Sequence, residues 1–240
     1  MIDCQGLTKQ YGHLRAVDDL TFRVQPGEVL GFLGPNGAGK TTTMRIVAGF
    51  LPATDGRVTV CGFDVEAQAT DAKRRIGYLP EGAPCYPEMT PRTFLEFIAS
   101  AREVPPQKRK ARLDEVFQLL HLEKVLDQTI DTLSKGYKRR VGLAQAIVHD
   151  PEVLILDEPT DGLDPNQKHE VRELIGRMAK SKIIVISTHL LEEVEAVCNR
   201  AIIIAHGKIL ADDTPQGLAA RVPSRRLDEV FRSITGGAAA

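Results

Sequence analysis

The sequence predicts an α/β fold in which a parallel sheet carries a phosphate-binding loop, with an antiparallel opening and a helical insertion added to it. Three observations indicate this fold. The apolar run from Val29 to Leu33 leads into a glycine-rich stretch, residues 34–41, and then into a helix-like run. Continuous apolar runs at 153–156 and 183–186 suit strands that are buried on both faces of a parallel sheet. From residue 90 the pattern changes to helical spacing before strands resume.

Composition excludes several classes of protein. The 240 residues are 42% hydrophobic and 26% charged, which excludes disordered and fibrous chains. The 31 basic and 32 acidic residues give a net charge of −1, so whole-chain charge does not indicate nucleic-acid binding. The four cysteines are scattered, and we expect free thiols in a reducing cytoplasm rather than a zinc knuckle or a disulfide framework. The apolar runs are shorter than a membrane span and no secretory signal is visible, so we expect any action at a membrane to require a partner.

The chain opens with two predicted strands, Ile2 to Thr8 and Ala16 to Val24, and the second closes at the turn Pro26-Gly27. We expect the two strands to pair antiparallel. Tyr11 lies between them, ahead of the phosphate loop, where its ring could stack on a base. A tyrosine half-buried at a strand end fits the spacing equally well, so both interpretations stay open.

The stretch from Gly34 to Thr41 has the composition of a phosphate-binding loop. Its glycines let the backbone turn tightly and aim N–H groups inward, and the following helix adds the positive end of its dipole. Lys40 can then reach terminal phosphates, and Thr41 can offer its hydroxyl to Mg²⁺. We expect the helix to run from Lys40 to near Gly49, and a strand to follow at 57–61.

A helical insertion is predicted after the short strand Ile76 to Leu79, which ends in Pro80-Glu81-Gly82. Thr90 is the predicted N-cap of the first insertion helix, with Pro91 in its first turn. A break at 104–106 separates this helix from a second one with apolar residues at helical spacing.

A further helix begins at Ser134, which stands where an N-cap is expected. Its first turns carry four cations, although the helix dipole disfavours positive charge there by about 0.3–1 kcal/mol each. The four cations are Lys135, Lys138, Arg139 and Arg140. An anion bound there from elsewhere would explain the conflict, and we favour it over a merely solvated basic face.

The strand at 153–156 runs directly into Asp157 and Glu158. Because ligands of parallel sheets bind at the carboxyl ends of the strands, both carboxylates should lie beside the phosphate loop, with Asp157 placed for Mg²⁺ and Glu158 for a water molecule. An acidic turn that caps the next helix is the weaker alternative, since Asp164-Pro165 already supplies that cap and first turn. His189 ends the next strand, where it could contact a phosphate or serve only as a hydrogen-bonded turn residue.

These motifs, in this order, resemble those of the nucleotide-binding subunit of an ATP-binding cassette (ABC) transporter, and the resemblance covers essentially the whole chain. Five stretches carry it. They are Gly34 to Thr41 as the Walker A motif, Leu133 to Tyr137 as the family signature, Leu154 to Glu158 as Walker B, Gly162-Leu163-Asp164 as the D-loop, and His189 as the switch histidine. Walker A and Walker B occur in any P-loop ATPase, whereas the signature is specific to this family.

The chain departs from the commonest family pattern in three places. Lys135 and Tyr137 stand where the signature usually has Gly and Gln. Glu81 occupies the position of the Q-loop glutamine, and Asp161 lies where Ser or Asn is common. The Leu-Pro-Glu version of the Q-loop resembles a bacterial exporter subset, with gliding-motility-like and drug or polysaccharide exporters, whose membrane subunits are separate chains.

The resemblance implies a P-loop NTPase with a RecA-like core, an antiparallel β subdomain and an α-helical insertion subdomain, which binds ATP and Mg²⁺ and hydrolyses ATP. It also implies a head-to-tail homodimer in which each ATP lies between one protomer's phosphate loop and the other protomer's signature. The implied catalytic residues are Glu158, His189 and Lys40. The implied metal ligands are Thr41, Glu81 and Asp157. The implied nucleotide contacts are Tyr11, Gly34, Pro35, Asn36, Gly37, Ala38, Gly39, Lys40, Thr41, Thr42, Ser134, Gly136 and Asp164.

We expect residues 1–215 to form the ATPase domain, with the insertion at about 84–148, and residues 216–240 to form a short C-terminal helical tail. We also expect a peripheral location on the cytoplasmic face of the inner membrane, through a separate polytopic permease subunit, and no nucleic-acid partner. The main alternative is a soluble cassette protein that acts on ribosomes or DNA. Translation-type members of the family resemble two cassettes in one chain, and DNA-repair members carry long coiled-coil insertions. This chain has one phosphate loop and only a short helical insertion, which favours transport. A phosphotransferase would need an acceptor pocket that no motif indicates. The sequence does not identify a transported substrate.

Overall fold

The computed structural model of the chain describes residues 1–82 and 85–236. The strands are β1 (Ile2–Tyr11), β2 (Leu14–Val24), β3 (Val29–Leu33), β4 (Asp55–Val60), β5 (Phe63–Asp64), β6 (Ile76–Leu79), β7 (Val153–Asp157), β8 (Ile183–Thr188), β9 (Arg200–Ala205) and β10 (Lys208–Asp213). The helices are α1 (Lys40–Val47), α2 (Ala69–Arg75), α3 (Pro91–Ala101), α4 (Pro106–Leu119), α5 (Lys135–Ile147), α6 (Pro165–Ala179), α7 (Leu191–Val197), α8 (Pro215–Ala219) and α9 (Leu227–Gly236). Residue 84, where the insertion is predicted to start, and residues 237–240 of the predicted tail lie outside the described residues.

A six-stranded sheet, in the order β10-β9-β3-β8-β7-β6, forms the centre of the fold. Its strands are parallel except at β10, which pairs antiparallel with β9. Successive side chains of a strand belong to different hydrophobic clusters, so both faces of the sheet are buried. In β7, for example, Leu154 and Leu156 pack with the insertion helices, whereas Val153 and Ile155 pack with α1 and the second sheet. This arrangement confirms the parallel strands that the continuous apolar runs predicted.

The second sheet is antiparallel, in the order β2-β1-β4-β5. Its first two strands pair from Ile2 opposite Val24 to Tyr11 opposite Leu14. The predicted antiparallel opening is therefore confirmed, but both strands are longer than predicted. The added residues are polar or exposed, so no apolar alternation marks them in the sequence.

The insertion consists of α3, α4 and α5, whose buried side chains join one face of the six-stranded sheet in a single hydrophobic cluster. Thr90 caps α3, because its hydroxyl accepts a hydrogen bond from the Thr93 N–H at 3.2 Å. The predicted break at 104–106 is the turn between α3 and α4, and Pro106 is the first residue of α4. The helical insertion and its predicted start signals are thus confirmed.

Two short helices, α2 and α7, are absent from the sequence-based prediction. Each has seven residues, which is too short for an apolar stripe to repeat. Ala72 is the buried side chain of α2, and Glu193 and Val194 are those of α7. Within the described residues, no helix combines the length and the apolar character that crossing a bilayer requires.

The strand β6 lies at the edge of the six-stranded sheet, and side chains from α5 and the residues after it cover that edge. Three alternate backbone carbonyls accept hydrogen bonds there. The bonds run from His149 Nε2 to Ile76 O at 3.1 Å, from Gln145 Nε2 to Tyr78 O at 2.6 Å, and from Arg139 Nη1 to Pro80 O at 3.1 Å. We call these three bonds the edge ladder. It joins the insertion directly to the strand that leads to Glu81.

The histidine of the edge ladder should make folding sensitive to acid. Burial lowers the pKa of His149 to about 4, and the positive charges of Arg102, Arg112 and Lys182 act in the same direction. The folded state therefore favours the neutral ring, whereas the unfolded chain takes up a proton below the ordinary pKa of 6.5. From pH 6.5 down to 4, we expect the wild-type free energy of unfolding to fall by about 3 kcal/mol more than that of His149→Gln.

Denaturant titrations at several pH values measure this difference. The matched control is His169→Gln, which changes an exposed histidine and should keep the wild-type pH dependence. Parallel curves for the wild type and His149→Gln would contradict the expectation.

Candidate active site

The loop between β3 and α1 adopts a backbone that only glycine tolerates at key positions. Gly39 is the N-cap of α1 with a φ of 103°, and a Cβ there would lie 2.4 Å from the carbonyl oxygen of Ala16. A Cβ on Gly34 would lie 2.3 Å from the carbonyl oxygen of Ile204. Neighbouring backbone therefore touches the loop from two sides, and this contact fixes a conformation that can aim N–H groups at a bound anion.

Lys40 is buried at the first position of α1. Its ammonium donates to the carbonyl oxygens of Gly34 at 2.7 Å and Pro35 at 3.2 Å, so the side chain folds back across the loop. Burial lowers the pKa of Lys40, whereas nearby carboxylates favour its charged form. These carboxylates belong to Glu158, Asp157 and Glu81. The predicted phosphate ligand therefore lies among three of the four predicted acidic site residues, all except Asp164.

Asp157, at the end of β7, is completely buried and faces the start of α1. Its Oδ1 accepts hydrogen bonds from the Ser187 hydroxyl and, at 3.4 Å, from the Thr41 hydroxyl. Its Oδ2 is buried without a hydrogen-bond partner among the described residues. A buried carboxylate oxygen with free acceptor capacity, beside a threonine hydroxyl, fits a hard cation such as Mg²⁺. Asp157 and Thr41 are two of the three predicted metal ligands, and they are the residues that would hold the ion.

Glu158 follows β7 in a left-handed backbone conformation, with a φ of 51°. Its N–H donates to the carbonyl oxygen of Ser187 at 3.0 Å, which ties this turn to β8. His189 Nδ1 lies 3.0 Å from both carboxylate oxygens of Glu158. Strained backbone of this kind is retained where surrounding structure imposes it, often at functional sites. The turn thus fixes the backbone of Glu158, and His189 constrains the direction of its carboxylate.

A cavity of about 400 Å³ contains most of the predicted site residues. It is lined by Tyr11, Leu14, Ala16, Asn36, Gly37, Ala38, Gly39, Lys40, Thr41, Thr42, Glu81 and Glu158. Seven predicted site residues do not belong to this lining, namely Gly34, Pro35, Asp157, His189, Ser134, Gly136 and Asp164. The structure thus brings together most of the loop, the aromatic residue and two carboxylates in one cavity, whose lining includes no signature residue of the same chain.

Tyr11 lines this cavity from the end of β1, and its side chain is 47% exposed. The Lys9 ammonium lies 5.3 Å from its ring centre, and this cation–π contact holds the ring at the cavity mouth. The exposed face suits the stacking interpretation better than that of a tyrosine buried at a strand end. Base stacking by Tyr11 remains a prediction.

We expect Tyr11→Phe to bind ATP almost as the wild type does, because stacking needs only the aromatic face. Tyr11→Ala should weaken ATP binding by about 1–2 kcal/mol, the scale of one stacked base. A titration with a fluorescent ATP analogue measures both values. Phe50→Ala removes another exposed aromatic ring, which lies outside this cavity, and should leave ATP affinity unchanged. Equal affinities for Tyr11→Ala and the wild type would leave Tyr11 a purely structural residue.

The four cations at the start of α5 have partners within the chain, which neither sequence interpretation anticipated. Lys135 pairs with Asp161 at 3.0 Å, Lys138 donates to Asp131 O at 2.8 Å, and Arg140 pairs with Glu170 at 2.8 Å. Arg139 donates to backbone carbonyls. A solvated basic face is therefore wrong for the two arginines, which are both buried. Lys135 and Asp161, two of the departures from the commonest family pattern, compensate each other's charge.

The start of α5 also contacts the start of α6. The Ser134 hydroxyl accepts a bond from the Tyr137 N–H at 3.3 Å, and Asp164 accepts one from the Gln167 N–H at 3.0 Å. Both predicted N-caps are confirmed. A Cβ on Gly136 would lie 2.5 Å from Gln167 Oε1, so glycine leaves room for the end of this side chain.

Three residues behind the cavity were missed by sequence reasoning. Ser187 bonds Asp157, Arg139 bonds carbonyls near Glu158, and Glu193 accepts a bond from the Thr188 hydroxyl at 2.8 Å, next to His189. Burial raises the pKa of Glu193. Only Arg139 left a signal in the sequence. Its helical neighbours at i+3, i+4 and i+7 are Gly142, Leu143 and Ala146, a second small or apolar face of α5.

Comparison with known proteins identifies the family. Residues 17–161 match the family model of the ABC transporter. The chain belongs to the ABC transporter family. The Nod factor export ATP-binding protein I of Burkholderia pseudomallei (strain 1710b) is 39% identical over 218 residues, which are 90% of this chain and 72% of that protein. The uncharacterized ABC transporter ATP-binding protein YhcH of Bacillus subtilis (strain 168) is 36% identical over 213 residues, 88% of this chain and 68% of that protein.

Solved structures support the same assignment. An ATP-binding subunit of an ABC transporter superposes with a TM-score of 0.90 at 28% identity, covering 98% of this chain and 99% of that one. A bacterial ABC transporter cassette solved as a dimer superposes with a TM-score of 0.83 at 23% identity, covering 89% of this chain and 98% of that one. This ABC-family chain is therefore an ATPase with the predicted P-loop NTPase fold and antiparallel subdomain, and the expected ATP-binding function is confirmed.

Proposed function

We propose that this ABC ATPase powers an exporter whose membrane-spanning subunit is a separate chain, and that it acts there as a head-to-tail dimer with ATP between the protomers. The composition of the nucleotide cavity is the observation that supports the proposed dimer. Its lining includes the phosphate loop, Tyr11 and Glu158, but not Ser134 or Gly136 of the same chain. A second copy, turned head to tail, would bring its own signature to the open side of the cavity.

The residues of the cavity support hydrolysis by in-line attack of water on the γ-phosphate. Glu158 would orient and polarise the water, and His189 would hold the carboxylate in direction and contact the phosphate. Lys40 would turn from the carbonyls of its own loop to the β- and γ-phosphates. Thr41 and Asp157 would hold Mg²⁺, with Glu81 beside them, and the bound ion would neutralise phosphate charge. The residues 34–42, Ser134, Gly136 and Asp164 would complete the nucleotide contacts.

A groove beside Glu81 supports attachment to a membrane subunit. Its volume is about 670 Å³, and it lies between the core and the insertion. It is lined by Arg45, Phe50, Tyr78, Pro80, Cys85, Tyr86, Phe94, Ile98, Arg102 and Gln145. A short helix of the membrane subunit, apolar on one face and carrying acidic groups for the two arginines, would fit this lining. The relatives named for Nod factor export favour an exporter, held peripherally at the cytoplasmic face of the membrane.

Tyr86 and Met89 are large apolar residues in the loop before α3, where such residues either contact a partner or complete the small core of the insertion. Tyr86 is 52% exposed, and its ring packs edge-on against Phe94 and Phe97 at 5.9 and 6.0 Å. Met89 instead packs against the hydrophobic cluster of the insertion. We therefore propose partner contact for Tyr86 alone, and Met89 fits the alternative in which it completes the insertion core. The segment that carries them also includes residues 83 and 84, which lie outside the described residues.

We expect Tyr86→Ala to keep the ATPase activity of the isolated subunit within about twofold and to weaken co-purification with the membrane subunit about tenfold, as removal of an interface anchor does. Pull-down from membranes that contain both subunits measures this. Leu210→Ala, which shortens an exposed apolar residue on β10, should change neither quantity. A fall of several degrees in melting temperature with partner binding intact would assign Tyr86 to the core.

Cell fractionation tests the transport assignment as a whole. The chain should sediment with membranes when the membrane subunit is co-expressed and remain in the supernatant when it is not. Sedimentation with polysomes, independent of the membrane subunit, would contradict the exporter proposal and favour a ribosome-associated cassette.

A further inference from the structure

Arg139, on the second turn of α5, is a buried cation whose hydrogen bonds go to backbone carbonyls. Its side chain belongs to the insertion, and the residue is only 5% exposed. The guanidinium donates to the carbonyl oxygens of Asp157 and Glu158, of Pro159 at 3.3 Å, and of Pro80 at 3.1 Å. Three of these peptide groups form the turn that carries Glu158, and the fourth precedes Glu81.

Burial lowers the pKa of Arg139, and the negative charges of the site oppose that shift. These charges belong to Asp161, Asp157, Glu158 and Glu81. A guanidinium has five N–H donors in one plane, so a single side chain can bond several carbonyls that converge from different segments. A lysine ammonium is a point charge on a flexible chain and cannot reproduce that planar fork. The surroundings of Arg139 thus require the guanidinium shape and not only a positive charge.

The turn that Arg139 holds is the one with the left-handed backbone at Glu158. Such a conformation persists only when neighbouring groups over-determine it. The N–H of Glu158 is bonded to Ser187 O from β8, while its carbonyl is bonded to Arg139 from α5. Removing the guanidinium would free one side of the peptide that determines where the carboxylate points.

We propose that Arg139 is a positioning residue for ATP hydrolysis, which fixes the backbone beneath Glu158 and Glu81 and so links the insertion to both carboxylates. This inference rests on the proposed role of Glu158 as the group that polarises water. The other two bonds of the edge ladder, from Gln145 and His149, hold α5 against β6 without Arg139. The effect of changing Arg139 should therefore concentrate at the catalytic turn.

The test compares Arg139→Met and Arg139→Lys with the neighbouring control Arg140→Met. Arg140 is also buried, but it bonds Glu170 and Leu120 O, away from the nucleotide cavity. For each protein we would measure kcat, KM for ATP, the Kd of ATP without Mg²⁺, and the melting temperature.

We expect Arg139→Met to lower kcat about tenfold or more, because small displacements of catalytic groups have effects of that size, while KM and Kd change less than about threefold. Arg139→Lys should have a melting temperature closer to that of the wild type than Arg139→Met does, and its kcat should still be severalfold lower than the wild-type value. Arg140→Met should keep kcat within about twofold, even where it lowers the melting temperature.

Two results would overturn the inference. One is a kcat within twofold of the wild type in folded Arg139→Lys or Arg139→Met. The other is a loss of kcat that follows the melting temperature equally in the Arg139 and Arg140 variants. Turnover by the wild type and its loss in Glu158→Gln test the proposed mechanism separately. If those two hold and the Arg139 variants remain fully active, only the positioning role fails.

Discussion

Protein carrying Glu158→Gln is expected to bind ATP with nearly wild-type affinity. Its rate of hydrolysis should fall by a factor of about a hundred or more, the scale of a lost general base. The amide is the same size as the carboxylate but cannot polarise water. The phosphate loop and Lys40 are unchanged, so the nucleotide cradle stays intact. Since hydrolysis would release the dimer, an ATP-bound dimer should accumulate.

Phosphate release and gel filtration in the presence of ATP measure the two effects. Glu192→Gln is the matched control, because it makes the same change at a carboxylate with an exposed side chain on α7, and it should retain wild-type turnover. Near-normal turnover in Glu158→Gln would rule out Glu158 as the essential residue.

Gly39→Ala is expected to lower the affinity for ATP about a hundredfold or more. The added methyl group would lie 2.4 Å from the backbone carbonyl of Ala16, at a residue whose φ is 103°. Backbone cannot move aside as a flexible side chain can, so the loop itself has to change shape. The donors that converge on the phosphates would then separate.

Gly37→Ala is the control for this change, because it isolates the cost of the backbone angle. Gly37 has a φ of 80°, but a Cβ there would meet no atom within 4 Å. Its substitution should lower the free energy of unfolding by only about 1–2 kcal/mol, the strain of a left-handed residue. Nucleotide titration and thermal unfolding of both variants separate the two effects. Equal losses of affinity would mean that the contact with Ala16 is unimportant.

Much of the fold could be predicted because it depends on patterns that local sequence carries. Apolar runs at 153–156 and 183–186 identified strands buried on both faces, and cap residues such as Thr90, Ser134 and Asp164 located helix starts. The rule that ligands bind where parallel strands end predicted that Asp157 lies beside the phosphate loop. In the structure its Oδ1 is 3.4 Å from the hydroxyl of Thr41, more than a hundred residues away in the chain. The functional roles of these residues remain predictions.

What the sequence could not supply are contacts between side chains and distant backbone. The charge of Arg139 suggested an anion or solvent, because its bonds to backbone carbonyls of two other segments cannot be read from residue types. The short helix α7 has no repeating stripe, and the added residues at the ends of β1 and β2 are polar or exposed. Each of these features depends on tertiary contacts, which override local propensity.

The edge ladder along β6 has a consequence for how copies of this protein can meet. An open sheet edge is a template onto which another strand can add, which leads to swapped or aggregated chains. Here the carbonyls of Ile76, Tyr78 and Pro80 are already occupied by α5 and His149. An incoming strand would have to displace these side chains from the edge, so the ladder disfavours association by sheet extension there.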